Sequence, residues 1–333
     1  MNENQLREVA RGAGLRLNAA LEGVRAQSLD WTDVALAASS VPRAMDACLE
    51  QLSASGVWGS ANRAASTIFW SAAESFLERG LLQRHARTKP AGYAGDADML
   101  RMIHERAVSD DSLGRHFDEY FQNQVAPQAV RNRADLVAEQ IRERLENPRG
   151  DGSQSLSVHL IGSGPAYEIV HVANRTSREA LSRLAVTLWD LDPRALDEAR
   201  RRLAEFLSPD QITTRRENLN RLSRNKRAAE ELRGADYIAC QGFLDYLANE
   251  DLVALLSSLH QSLAPNGELM VFNFRDQASR AYMEWVGNWY LNYRREEELA
   301  DLADRAGVLS ESVSIGSEET GADLFLHVIR DRV

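Results

Sequence analysis

Cysteine is scarce in this chain. Of 333 residues only Cys48 and Cys240 are cysteines, far apart and without metal-ligand spacing, which excludes a disulfide framework and suggests no zinc site. Both read as buried thiols. Long apolar runs are also lacking: no stretch approaches the roughly 18 residues that would suggest a membrane span. The N-terminus, MNENQLREVARGAGLRLNAAL, has no basic start followed by an apolar core, so a secretory signal is not indicated and the cytoplasm is the expected compartment. Basic residues are outnumbered, 39 Lys and Arg against 49 Asp and Glu, giving a formal charge of −10. Nonspecific nucleic-acid binding, which relies on basic surface to displace counterions, is thereby disfavoured. His85, His104 and His116 show neither HxxxH nor carboxylate spacing, so no metal is expected. A small-molecule ligand is the partner left open, and nothing here fixes an oligomeric state.

What is present is enough for a substantial core. With 44% hydrophobic and 26% charged residues the composition is that of a globular protein, and the length favours two domains. Up to about residue 147 the pattern is helical: VPRAMDACLEQLSASG, AASTIFWSAAESFLERGLLQRH and AVRNRADLVAEQIRERLENPRG repeat apolar residues three and four apart. NPRGDGSQS, 147–155, concentrates turn formers. A boundary near 150 is expected, dividing a helical cap domain, 1–150, from a second domain, 151–333.

Beyond that boundary strands and helices alternate. SVHLIG, AVTLWDLD, QITTRREN, ADYIACQG and ELMVFNF are short apolar runs separated by helical segments, and SESVSIG with ADLFLHVIR reads as an edge hairpin. The expected fold class is α/β, a Rossmann-like seven-stranded sheet covered by helices on both faces.

In such a sheet ligands bind outside the carboxyl ends of the strands, and the first strand–helix turn is the usual place. That turn is LIGSGPAYE. Gly162 and Gly164 allow close backbone approach, and Ser163 and Pro165 complete a loop that leads into a helix N-terminus able to meet a carboxylate or phosphate. The third glycine of a dinucleotide fingerprint is replaced by Tyr167, and no Lys-Ser/Thr pair makes a P-loop, so neither NAD nor ATP hydrolysis is favoured. Asp190, 28 residues after Gly162, ends the second strand with Leu191 beside it, where an acid can accept from two ribose hydroxyls. A helix cap is the alternative, chiefly for Asp192 before Pro193. Glu217 and Asn218 follow the third strand and can meet an adenine edge, a solvated loop being nearly as good a reading. Gln241, Gly242 and Phe243 follow the fourth.

These residues, from about 155 to 330, resemble the class I S-adenosylmethionine-dependent methyltransferases: LIGSGPA is similar to their first motif, Asp190 to the ribose-binding acid, ADYIACQGFLDYL to the fourth motif and LAPNGELMVFNF to the fifth-strand region. Leu160 stands where many members carry an acid that reaches the methionine amine. A narrower resemblance runs through RTKPAGYAGDADML, 87–100, GFLDYL and SRAYMEWVGNWYLNYR, 279–294, to the bacterial family of hydroxy-fatty-acid methyl ester biosynthesis, whose loop reads Gly-Pro-Ala-Arg-Glu. Tyr167 occupies the place of that arginine. Azetidine-2-carboxylate synthases resemble the same branch, with a helical cap, a tyrosine near the amino acid end of the cofactor and an asparagine before the first strand, for which Asn132 is the nearest candidate.

The resemblance implies S-adenosylmethionine as cofactor or substrate, without a metal, and two chemistries. One is methyl transfer to a fatty or hydroxy acid. The other, given preference because Tyr167 is the clear departure, is closure of the ligand's own amine onto its γ-carbon with release of methylthioadenosine, oriented by Tyr167 and Asn132. Arg131 or Arg133 can pair with the ligand carboxylate, although a solvated helix face is the usual reading of such arginines. In the helical half, KPAGYAGD presents Tyr93 and Asp96 as a lid over the cleft, the alternative being an interhelical turn with Asp96 as an N-cap. Trp285, Trp289 and Tyr293, four residues apart, read as one helical face, more often core than pocket, with a cap-facing wall as the alternative.

Overall fold

The computed structural model describes residues 1–148, 154–308 and 313–331. Its two compact units are Met1–Gln128 with Gln277–Leu291, and Ala129–Asp276 with Asn292–Val333. The junction expected near 150 falls at 149–153, outside the described residues. The units divide instead within a helix, because residues after Gln128, among them Val137, Ala138, Ile141 and Leu145, pack into the core of the second unit.

The first unit is helical: α1 (Glu3–Gln27), α2 (Val34–Ser53), α3 (Arg63–Leu77), α4 (Leu81–Thr88), α5 (Ala97–His104), α6 (Gly114–Gln122) and the start of α7 (Val125–Glu146). Asn2 and Gln5 form a capping box that starts α1, and Leu6, Ala10, Ala13, Leu17 and Leu21 form its buried stripe. Gly14 sits where an added Cβ would lie 2.6 Å from the Phe69 carbonyl oxygen, so α1 and α3 approach at backbone contact. The expected aromatic face does not form as one helix. Tyr282–Val286 is a single π-helical turn, Asn288 takes φ +50°, and residues 288–295 are not helical. The left-handed asparagine ends the helical period, so Trp285, Trp289 and Tyr293 share no helical face. Trp285 is buried regardless.

The second unit holds a seven-stranded sheet in the order β3-β2-β1-β4-β5-β7-β6. β1 (Leu156–Ile161), β2 (Leu184–Asp190), β3 (Ile212–Arg216), β4 (Ala235–Cys240) and β5 (Leu263–Phe274) are parallel, while β7 (Asp323–Ile329) runs antiparallel to β5 and to β6 (Val313–Ser317). The expected terminal hairpin is therefore present, with β6 at the edge. Successive strand residues feed opposite cores, as period-two geometry requires. Val158, Leu160, Tyr237, Ala239, Met270 and Phe272 pack on one side, and Ile161, Ile238, Cys240, Leu269 and Val271 on the other. α8 (Tyr167–Arg175), α9 (Arg178–Leu181) and α10 (Pro193–Leu203) join the first core, and α11 (Lys226–Leu232), α12 (Asn249–Ser262) and α13 (Glu296–Arg305) the second. Cys48 and Cys240 are both free and buried, as expected, and burial pushes each thiol up to about 12.

Candidate functional site

β1 delivers its chain into a loop made almost wholly of special backbone. Gly162 has φ +68°, Gly164 +47° and Ala166, not a glycine, +54°. The space around Gly162 would admit a methyl group at ordinary contact with Leu219 and Phe243, so conformation rather than crowding demands glycine there. The same two neighbours bring the loops after β3 and β4 against the first loop. Ala166 tolerates a left-handed state that costs an L-residue about 1–2 kcal/mol, and it sets the start of α8.

The loop is tied down by the neighbouring strand. The N–H groups of Gly162 and Ser163 donate to Trp189 O at 2.8 and 3.0 Å. Asp190, buried at the end of β2, accepts from Gly164 N at 2.9 Å through Oδ2 and from Asp192 N at 3.0 Å through Oδ1. Burial raises Asp190 above the usual carboxylate range. Asp192 caps α10 by accepting from Arg194 N at 2.9 Å, which is the alternative role its position before Pro193 suggested. Leu191, between the two acids, is 50% exposed. Glu217 accepts from Asn218 N at 2.9 Å and from Asn225 Nδ2 at 2.6 Å, while Asn218 caps the turn 219–224.

On the other side of the loop lies a feature the sequence did not announce, three buried carboxylates around one arginine. Arg133, on α7, donates to Asp323 Oδ2 at 2.9 Å, and its charge also acts on Glu168 and Asp245. Its guanidinium occupies the space above Gly242, where a Cβ would meet Nη2 at 2.8 Å. Glu168, in the first turn of α8, hydrogen-bonds the Gln241 side chain; burial outweighs that bond and Arg133 and pushes its carboxyl up to about 7. Asp245 accepts from Phe274 N at 2.8 Å and is raised by burial to about 6. Burial likewise holds Asp323 well above its ordinary value. Glu168 and Asp245 stand in PAYE and GFLDYL, but apolar spacing gives no sign that either side chain is buried.

Tyr167 and Asn132 have specific neighbours. The Arg202 guanidinium lies 4.6 Å from the Tyr167 ring centroid and donates to Pro165 O at 2.9 Å, and the His171 ring packs edge-on. Asn132 Nδ2 donates to Glu318 Oε2 at 2.8 Å. Leu160 is buried in the sheet core. Tyr93 and Asp96 belong to the first unit. There Asp96 caps α5, its Oδ1 accepting from Met99 N at 2.9 Å and lying 2.7 Å from His85 Nε2. Among the described residues no group of three or more His, Cys, Asp or Glu is arranged to hold a metal ion.

Residues 160–269 match the family described as "Methyltransferase domain". Among solved structures, a protein of Bordetella parapertussis described as a possible exported protein aligns with a TM-score of 0.56 at 15% identity, over 77% of this chain and 82% of its own. The CurJ carbon methyltransferase aligns with a TM-score of 0.52 at 13% identity, over 99% and 92%. Magnesium protoporphyrin IX methyltransferase from Synechocystis PCC 6803, solved with bound SAH, aligns with a TM-score of 0.45 at 15% identity, over 62% and 87%. No curated protein sequence matches the chain. At such identities the likeness is one of fold.

Proposed function

We propose that the sheet unit, residues 160–269 of which match a methyltransferase domain, binds S-adenosylmethionine and that the protein closes its aminocarboxypropyl chain to azetidine-2-carboxylate. Two buried polar atoms support the fit of a polar ligand: Ser163 Oγ on the loop and Asp323 Oδ1 in the acid cluster have no hydrogen-bond partner among the described residues. In this reading the 162–165 backbone and Ser163 hold the sulfonium side, and Asp190 takes the ribose hydroxyls through lone pairs its backbone donors leave over. Leu191, Glu217, Asn218 and Phe243 border the adenosine. Arg133, with Gln241 and Gly242 beside it, receives the carboxylate.

The observation that carries the reading is Glu168. Where an acid on β1 would keep the ligand amine charged, this chain has Leu160, and the buried carboxyl available beside Arg133 and Gln241 has its pKa raised to about 7. A group so poised takes up a proton near neutral pH and returns it to water. Bound here, S-adenosylmethionine supplies an electrophilic γ-carbon: the amine forms a C–N bond to it, the C–S bond breaks, methylthioadenosine leaves with the electron pair, and the proton lost by the ammonium goes to Glu168. Tyr167 and Asn132 retain a positioning role, holding the flanks of the loop and of α7.

The second reading, methyl transfer to a fatty or hydroxy acid carboxylate, is favoured by the description of the matching family. Incubation of the purified protein with S-adenosylmethionine alone separates the two. Methylthioadenosine and a cyclic amino acid are expected. If nothing turns over until an acid acceptor is added, and S-adenosylhomocysteine then accumulates, ring closure is wrong.

A further inference from the structure

The chemistry proposed above assigns no step to the stretch RTKPAGYAGD, yet Arg87 and Lys89 within it help to build a second charged feature, contained within the helical unit. Arg87, near the end of α4, donates to Ser66 Oγ and Ser66 O, both at 2.8 Å, and its guanidinium lies 5.1 Å from the Trp70 ring centroid. Arg63, at the start of α3, lies 4.7 Å from the Tyr290 ring centroid. Lys89 ends α4 in the left-handed conformation, φ +50°. The three cations are neighbours, since Arg63 and Arg87 are the charges acting on Lys89. Among the described residues none of the three makes an ion pair. The carboxylate that acts on Arg87 is Glu74, an exposed residue beyond ion-pair distance.

That arrangement costs free energy by itself. Arg87 is partly removed from water with only a serine as hydrogen-bond partner, and like charges surround Lys89, whereas paired cations are the rule in such places. The rings of Trp70 and Tyr290 lie against the two guanidinium groups and add cation–π attraction to each. Arg87 uses two of its five donors on Ser66, which leaves a fork suited to the two oxygens of an acid. Neighbouring Glu284 does not neutralise the cluster, because its carboxylate is occupied by Arg280 at 2.8 Å and by Gly59 N and Asn62 Nδ2, each at 2.7 Å.

We propose that Arg63, Arg87 and Lys89 form a binding site for the oxyanion headgroup, carboxylate or phosphate, of a small acidic molecule. The site goes beyond the ring-closure reading and does not depend on it.

Calorimetric titration of the full chain, without S-adenosylmethionine and at fixed ionic strength, tests it with two probes, octanoate and inorganic phosphate. Saturable binding of at least one is expected below about 1 mM, and the probe that binds identifies the headgroup. Arg63→Gln and Lys89→Gly should each weaken that binding about tenfold. Arg63 is exposed, and glycine suits the left-handed turn at 89, so both variants should fold; matching circular dichroism spectra verify this. Absence of saturation up to about 10 mM for both probes, or equal affinity in folded variants, overturns the site. Methylthioadenosine formation is assayed separately, so failure of one proposal leaves the other standing.

Discussion

The N–H of Gly164 donates to Oδ2 of Asp190 across 2.9 Å, so the residue proposed to hold a ribose also fixes the loop proposed to hold a sulfonium. On that proposal the two roles are coupled through one carboxylate. Asp190→Ala removes the acceptor of two backbone donors and should lower stability by about 1–3 kcal/mol. Affinity for S-adenosylhomocysteine should fall at least tenfold. Asp190→Asn, which keeps one acceptor oxygen, should lie between. Calorimetric titration and urea unfolding check both effects, and a stable, normally binding Asp190→Ala would remove this residue from the site.

Glu168 governs the expected pH dependence of turnover. Its carboxyl, raised by burial to about 7, accepts a proton only when ionised. Methylthioadenosine formation under saturating S-adenosylmethionine should therefore decline as pH falls through about 7. Glu168→Gln should retain binding, lose at least a hundredfold in kcat and lose this limb of the profile. A variant with the wild-type profile would show that the titrating group lies elsewhere.

The fold was legible because the sheet writes itself as buried apolar runs separated by helical spacing, and the glycine loop because only glycine tolerates Gly162's backbone freely. Ala166 was not legible: nothing in its side chain reports a φ of +54°. The buried acids were hidden for a different reason. Asp323 and Arg133 pair across 190 residues of sequence, a distance no local pattern spans. Tyr167 and Glu168 are adjacent in the sequence, yet neighbouring positions at the start of a helix point to different flanks, one meeting Arg202 and the other Gln241 and Arg133. The three tryptophan and tyrosine positions at 285, 289 and 293 failed as a helical face because one asparagine left the helical region.

Tyr167→Phe tests that division. The variant keeps the ring face that meets Arg202, so the loop flank should hold and turnover should stay within about threefold of wild type. A loss of tenfold or more in kcat with unchanged KM would return the hydroxyl to the reaction itself.

Gly242→Ala probes the arginine. A methyl group there would stand 2.8 Å from Arg133 Nη2, so the guanidinium must shift, which disturbs its hydrogen bond to the buried Asp323. Destabilisation of about 1–3 kcal/mol is expected, with a larger rise in KM for S-adenosylmethionine than fall in kcat. Unchanged KM would mean that Arg133 serves the fold and does not hold the ligand.

The acid cluster also fixes the sign of its contribution to stability. Glu168 moves from an ordinary 4.5 to about 7 on folding, and Asp245 from 3.8 to about 6. Between those limits the native state holds more protons than the unfolded chain, so the contribution of these two acids weakens as pH rises, and that of Glu168 levels off above about 7. This is opposite to the usual paired carboxylate, whose folded value is depressed. Glu168→Gln removes the Glu168 titration and leaves those of Asp245 and Asp323. The urea midpoint of the wild type should therefore fall relative to that of the variant between about pH 5 and 7.5, then run parallel to it. A difference that stays constant over that range would mean that Glu168 is solvated and charged throughout, and its part in taking up the proton would fail with it.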